Sequence, residues 1–413
     1  MITTINNEHK ELNFSSEREQ SQACLNSAEH EKNQGRKVLN VPNLRFPEFQ
    51  GEWEKTKFGD IATGFDYGMN AAAKNYDGVN KYIRITDIDE ASSTYTDKDI
   101  VSPDGILTDN YLVNNRDILL ARTGASTGKS YLYKQSDGKL YYAGFLIRAN
   151  VTTHDPYFVF SQLHTHRYWR WVSIMSARSG QPGINSQEYS SFPIYTTSIE
   201  EESKIAKLLS LLDERIATQN KIIEDLKKLK SAIRKKIFSL LKDEYTKSFE
   251  INQLLDYEQP TAYIVANDEY STDTRLTPVL TANKGFILGY TDEKNGIYQK
   301  GACIIFDDFT MDAKYVSFPF KVKSSAIKIL TAKPNVNLRF MFEYLSHWEL
   351  KSEEHKRHYI SEISPLVIEL PSKEKQNIIA LLMTSLNNKL TIEEKAKIRY
   401  EVQKGYLLSQ MFI

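Results

Sequence analysis

From residue 205 to residue 240, apolar side chains return in alternating steps of four and three. They are Ile205, Leu209, Leu212, Ile216, Ile223, Leu226, Ile233, Ile237 and Leu240, with the polar Gln219 and Lys230 taking two of the places. A period of about 3.5 residues predicts one long helix with a coiled-coil seam. At about 1.5 Å per residue such a helix spans roughly 50 to 60 Å. Ser198 and Glu201 have the spacing of a capping box, and Pro193 stands in a short strand-like run just upstream.

The same pattern occurs twice. Residues 192–238 return as 366–412 at a constant offset of 174, so that Ile194, Ser198, Glu200, Ile205, Ala206 and Phe238 recur as Ile368, Ser372, Glu374, Ile379, Ala380 and Phe412. The copied seam runs through Ile379, Met383, Leu386 and Leu390 and weakens at Glu393 and Lys397. Two amphipathic helices of this length in one chain are expected to bury their seams against each other as an antiparallel pair, with Gln219 and Lys230 fixing the register.

Ahead of each helix the period drops from about 3.5 to 2. Residues 81–88, 117–123, 129–134 and 144–151 read as strands, separated by the turn signals Asp77-Gly78, Asp104-Gly105 and Asp137-Gly138. Asp155-Pro156 reads as cap and first residue of a helix reaching about Met175. The second half repeats this order in different wording: strand-like runs over 277–291, 296–310, 314–322 and 324–330, then a helix over 337–348. Residues 1–40 are polar and aperiodic, the mark of a disordered leader. The expected domains are 41–197 and 243–371, each followed by its helix, 198–242 and 372–413, in a chain of α+β class.

Composition adds constraints. With 41% hydrophobic residues, 24 Tyr and 19 Phe in 413 residues, each unit can bury a core. No apolar run approaches the length of a membrane span. Cys24 and Cys303 are the only cysteines. This excludes a disulfide framework or a cysteine-built zinc site and fits a reducing cytoplasm. Net charge is zero, yet residues 116–185 carry nine Lys or Arg against three acids, 221–242 eight against two, and 314–333 five against none. Local basic stripes on a neutral chain are compatible with phosphate contact.

Several short motifs imitate chemistry. Gly124 to Ser130 resembles a phosphate-binding loop but has three residues between its glycines where four are needed, and strands on both sides. A glycine-rich hairpin tip presenting Arg122, Thr123, Ser126, Thr127 and Lys129 to a DNA backbone is the better reading. His154 to Phe158 resembles a fragment of the Asp-Pro-Pro-Tyr loop of amino-methyltransferases without its second proline, and a helix cap explains it. Pro103-Asp104 with Asp137 to Lys139 matches the carboxylate pattern of metal-dependent nucleases only loosely. Asp307-Asp308 reads as a metal site, a cytosine contact or a turn. His347, His355 and His358 lie in too basic a run to favour a dication, so no metal site is expected.

The opening of residues 44–53, the segment 121–129, the approach 179–194 and the helix 208–233 together resemble the specificity subunit of type I restriction-modification systems. Residues 255–265, 277–291 and 306–310 fit the target-recognition domains of the same family. The resemblance implies two α/β target-recognition domains in tandem, separated and bridged by two long antiparallel coiled-coil helices in a pseudo-twofold repeat. It implies a non-catalytic reader of a bipartite, asymmetric site in double-stranded DNA. Two modification subunits and restriction subunits would be its partners, and those would carry S-adenosylmethionine, ATP and Mg2+, with no cofactor on this chain. Expected DNA contacts are Arg122, Thr123, Ser126, Lys129, Lys134, Arg178, Gln181 and Asn185 in the first domain. In the second they are Asn283, Lys284, Lys314, Lys321, Lys323, Arg357 and His358. An autonomous nuclease or methyltransferase, or a coiled-coil adaptor that does not touch DNA, are the alternative classes.

Overall fold

The computed structural model describes residues 39–177, 182–241, 247–281, 285–348 and 357–413. The expected leader falls almost wholly outside them. The chain divides into two compact units, one of Met1–Asn220 with Lys395–Ile413 and one of Lys221–Glu394.

In the first unit a four-stranded antiparallel sheet is built from β1 (Ala62–Tyr67), β2 (Asp117–Ala121), β3 (Ser130–Leu132) and β4 (Leu146–Val151), in the order β1-β4-β2-β3. All five residues of β2 are buried. Ile118 and Leu120 enter a core with Phe58, Ile147 and Phe192, while Leu119 and Ala121 enter another with Ile83, Tyr131 and Tyr142. A strand covered on both faces has no reason to alternate, which is why Asp117–Ala121 is an almost continuous apolar run.

The second unit repeats this plan. Its strands β5 (Leu255–Glu258), β6 (Cys303–Asp307), β7 (Ala313–Val316) and β8 (Ile327–Ala332) are ordered β5-β8-β6-β7. Here Leu120 opposite Ile147 is answered by Phe306 opposite Lys328. Cys303 is buried, and that burial pushes its thiol up to about 12, so it behaves as a small apolar side chain.

Two sequence expectations are corrected. Only Lys81–Ile83 of the run 81–88 is strand; Ile85–Asp87 is a tight turn, because the Asp87 carboxylate accepts from the Arg84 main-chain N–H at 2.8 Å and pairs with its guanidinium at 2.7 Å. The helix expected from 155 to 175 is two helices, Pro156–Gln162 and His166–Ser176. The Thr165 hydroxyl breaks it by donating to the Gln162 carbonyl at 2.8 Å and capping the second piece at the Tyr168 N–H.

The long helices are Ile199–Leu241 and Lys373–Gln410. Within the first unit Ile205 and Leu209 share a core with Leu407, Leu408 and Met411, and Asp213 pairs with Lys404 at 2.6 Å. Within the second, Ile233, Ile237 and Phe238 pack with Ile379, Met383 and Leu386, and Lys227 pairs with Glu394 at 3.0 Å. In each unit one helix rises in number as the other falls, so the pairing is antiparallel.

Leu212, Ile216, Leu226 and Ile233 are half-buried, and Ile223 and Leu390 are buried, as the seam requires. Leu240 is 47% exposed, a departure from the seam. An α-helix drifts from a 3.5-residue repeat, and Phe238 and Leu241 take the buried places there. Phe238 packs on Phe340 and Tyr344 in the second unit; its sequence copy Phe412 packs on Phe158 and Trp53 in the first. Burying one such ring fully is worth about 2 to 3 kcal/mol.

Candidate nucleic-acid interface

The tip joining β2 to β3, residues 122–129, is held from below by two buried tyrosines. Tyr168 donates its hydroxyl to the Gly128 carbonyl at 2.8 Å; Tyr189 donates to the Ala121 carbonyl at 2.6 Å and accepts from the Gly128 N–H at 3.2 Å. Burial raises both phenols well above their ordinary range, so they remain neutral donors. Gly128 has φ +93°, and a Cβ there would stand 2.8 Å from Val172, so no other residue fits without displacement.

Onto this tip docks the loop 182–185. The Gly124 N–H donates to the Pro182 carbonyl at 3.0 Å, Thr123 bridges Gly183, and the Ile184 N–H donates to the Arg122 carbonyl at 2.9 Å. Two segments separated by about sixty residues in sequence thereby form one platform. The amides that a phosphate loop would aim at its ligand are spent on this internal docking: the Thr127 N–H and hydroxyl both bond the Gly124 carbonyl.

Several predicted contacts share this platform. Arg122 is half-buried, its guanidinium 4.5 Å from the centre of the Tyr67 ring, with one N–H on the Gly144 carbonyl at 3.4 Å. Thr123 and Ser126 are half-buried beside it, and Lys134 is exposed beyond β3. Lys129 reaches Glu90 at 3.3 Å. Asn185 is exposed, but its side chain caps the helix Ser186–Ser190 by accepting from the Glu188 N–H at 2.9 Å. The cap occupies its side-chain oxygen and leaves the residue on the surface of the platform. Arg178 and Gln181 lie outside the described residues. Tyr67, 43% exposed, and Phe145, 63% exposed, also line the tip, beyond the contacts expected from the sequence. Strand alternation does not mark them, because Tyr67 falls in step with the buried Phe65 and Phe145 with the buried Ile147.

In the second unit the equivalent place is taken by Asp308. Its carbonyl accepts from the His358 N–H at 2.9 Å, as the Arg122 carbonyl accepts from Ile184, and its carboxylate accepts from the Tyr359 N–H at 2.8 Å. Asp308 pairs with Lys328 at 3.3 Å, both about 1% exposed, and Asp307 caps the turn at Phe309 and Thr310. The acidic pair is thus a turn and a buried ion pair.

Two further candidates are corrected. Lys321 is buried, its ammonium bonded to Glu293 at 2.5 Å and to the Asn295 carbonyl at 2.7 Å. His358 is 2% exposed and its ring meets Glu362 at 2.7 Å. Neither can reach a ligand; a basic residue read from sequence carries no sign of which face it takes. Lys314 is half-buried on β7, Lys323 is exposed, and Arg357 is exposed with its guanidinium 5.9 Å from the Phe309 ring. Asn283 and Lys284 lie outside the described residues, as does His355.

The other motifs resolve structurally. Asp155 caps its helix through the Tyr157 and Phe158 N–H groups. Asp137 accepts from the Tyr131 hydroxyl at 2.6 Å, and Asp104 faces Lys74 at 3.7 Å. Among the described residues no three His, Cys, Asp or Glu side chains gather as a metal site, and no helix is long and apolar enough to cross a membrane.

The family model of the type I restriction modification DNA specificity domain matches this chain twice, over residues 50–228 and 243–402. The specificity subunit of the type I restriction enzymes EcoR124I/EcoR124II of Escherichia coli is 39% identical over 178 residues, 38% of this chain and 43% of that protein, so the match spans less than half of that relative. A putative type I restriction enzyme MjaX specificity subunit of Methanocaldococcus jannaschii is 23% identical over 90% of this chain and 96% of its own length. In fold, the chain resembles the crystal structure of the S subunit of a type I restriction-modification system from M. genitalium, with a TM-score of 0.63 at 15% identity over 90% of this chain and 99% of that one. A sheet, docked loop and long helix that occur twice, under a family model that also matches twice, have one explanation: the chain belongs to the type I restriction modification DNA specificity domain family.

Proposed function

We propose that this chain is the sequence-reading subunit of a type I restriction-modification complex, without catalytic chemistry of its own. The observation that carries this reading is the repeated platform, in which a loop just before each long helix docks on the tip of a central strand. A rigid sheet thereby presents two short loops together, an arrangement suited to entering a groove of double-stranded DNA. Each unit reads one half of a bipartite, asymmetric site. The exposed faces of the helix pair dock two modification subunits, which supply S-adenosylmethionine chemistry, and restriction subunits with ATP and Mg2+ complete the assembly.

Methylome sequencing of cells that express this chain with a compatible modification subunit tests the reading. A split methylated motif with a fixed gap is the expected result. Methylation without a split motif, or none with the complex assembled, overturns it.

A further inference from the structure

The arginines of the first unit are mostly consumed by the fold. Arg45 pairs with Glu201 at 2.7 Å, Arg84 with Asp87 at 2.7 Å and Arg148 with Asp66 at 3.2 Å. Arg116 donates to the Val151 carbonyl at 2.6 Å and Arg167 to the Pro193 carbonyl at 2.8 Å. Arg122 is held differently: its main-chain N–H and C=O are fixed by Phe145 and Ile184, at 3.1 and 2.9 Å, and its guanidinium lies over the Tyr67 ring. Among the described residues no carboxylate neutralises it. The ring beneath is itself fixed, because the Tyr67 hydroxyl accepts from the Ser186 N–H at 3.3 Å and the Ser186 hydroxyl bonds the Phe65 carbonyl at 2.7 Å.

A guanidinium seated on an aromatic face keeps its N–H groups in plane at its edges; in Arg122 the Gly144 carbonyl takes one Nη1 N–H at 3.4 Å, and among the described residues the Nε–Nη2 edge has no partner. That planar edge matches the paired acceptors O6 and N7 of guanine, where a phosphate needs only charge. Seating the fork in advance also reduces the side-chain entropy lost on binding.

We infer that Arg122 is a specificity-determining residue that reads one guanine in one half-site, with Tyr67 as its positioning residue. The inference rests on the DNA-reading function proposed above. In the second unit the equivalent strand position holds Asp308, sealed against Lys328, so that unit makes no guanine contact from this place.

The test uses the full chain assembled with its modification subunits. Affinity is measured on a panel of duplexes, each differing by one base pair from the methylated motif, at two salt concentrations. Arg122→Ala is expected to lose roughly 10- to 100-fold discrimination at a single G·C pair and to leave the other positions unchanged. Arg122→Lys, which keeps the charge, is expected to lose the same discrimination while retaining its salt dependence. Tyr67→Leu should loosen that one position, and Tyr67→Phe, which keeps the ring but gives up its hydrogen bond from Ser186, should loosen it less. Equal weakening on every duplex with a shallower salt slope makes Arg122 a phosphate anchor and overturns the inference, as does an unchanged panel. Should the unmodified complex itself fail to prefer the motif over its variants, the DNA-reading function falls first.

Discussion

The main-chain N–H of Asn337 donates to the side-chain oxygen of Gln376 at 2.8 Å, and the main-chain N–H of Asp155 donates to Glu202 at 2.9 Å. Both donors are helix caps, and both acceptors stand in the first turn of a long helix, at the 174-residue offset of the repeat. The joint between domain and helix is therefore the same in both halves, while its chemistry has changed. In the first half His154 Nδ1 also meets Glu202, at 2.8 Å, and the Thr197 N–H donates to it at 3.1 Å. In the second half Val336 stands before the cap, and an amide suffices.

Glu202 is fully buried and serves three partners. Glu202→Ala leaves their polar groups without an acceptor, an expected loss of about 3 kcal/mol. Glu202→Gln, the residue the copy already uses, is expected to lose about 1 kcal/mol. Urea denaturation of the two variants checks the order, and equal losses would contradict the joint described here.

The buried pair of Lys328 and Asp308 predicts a larger, local effect. Lys328 also donates to Gln259 at 3.0 Å. Lys328→Met strands the Asp308 carboxylate and is expected to cost about 3 to 5 kcal/mol, whereas Lys328→Met with Asp308→Asn should cost less than half of that. Hydrogen exchange should place the loss in the second unit, at the amides of His358 and Tyr359 that Asp308 accepts from.

His164 makes the first unit sensitive to acid. Burial, and secondarily the nearby Lys404 charge, lowers its imidazole from 6.5 to about 4, while Nδ1 meets the Phe160 carbonyl at 2.9 Å and Nε2 the Ser93 hydroxyl at 3.0 Å. The unfolded chain binds a proton between these two values that the folded chain does not. Stability is therefore full above about 6.5 and is lost as pH falls toward about 4. Relative to the unmodified chain, His164→Leu should remove about 2 kcal/mol of the difference in unfolding free energy between pH 7 and pH 4.5. An identical pH profile would reject the assignment.

What was legible in the sequence was what repeats or alternates. The seam from Ile205 to Ile237, the copied helix and the strands around Leu119 and Ile305 all follow from periodicity, because burial on one stripe or on both faces is written in hydrophobicity alone. Side-chain direction was not legible. Lys321 and Lys323 differ by two positions on one basic stripe, yet one is sealed against Glu293 and the other is exposed. Asn185 carries the same amide wherever it stands, and only the Glu188 N–H shows that its oxygen caps a helix. The pair of Tyr67 and Arg122 was not legible either, because the two come from separate segments far apart in sequence.

The helix pair makes the last prediction, on the separation of the half-sites. Four inserted residues lengthen a helix by about 6 Å and turn it by about 40° beyond a full turn. An insertion in one helix alone would slip its seam against the other and separate pairs such as Lys227 with Glu394 in the second unit and Asp213 with Lys404 in the first. Matched insertions, one after Leu226 and one beside Lys395, retain these pairs on either side. Under the proposed function the matched variant should methylate the same two half-sites with a gap longer by about two base pairs, at 3.4 Å each. The single insertion should fail to assemble. A matched variant that assembles and methylates at the original gap would show that the helices do not set the spacing.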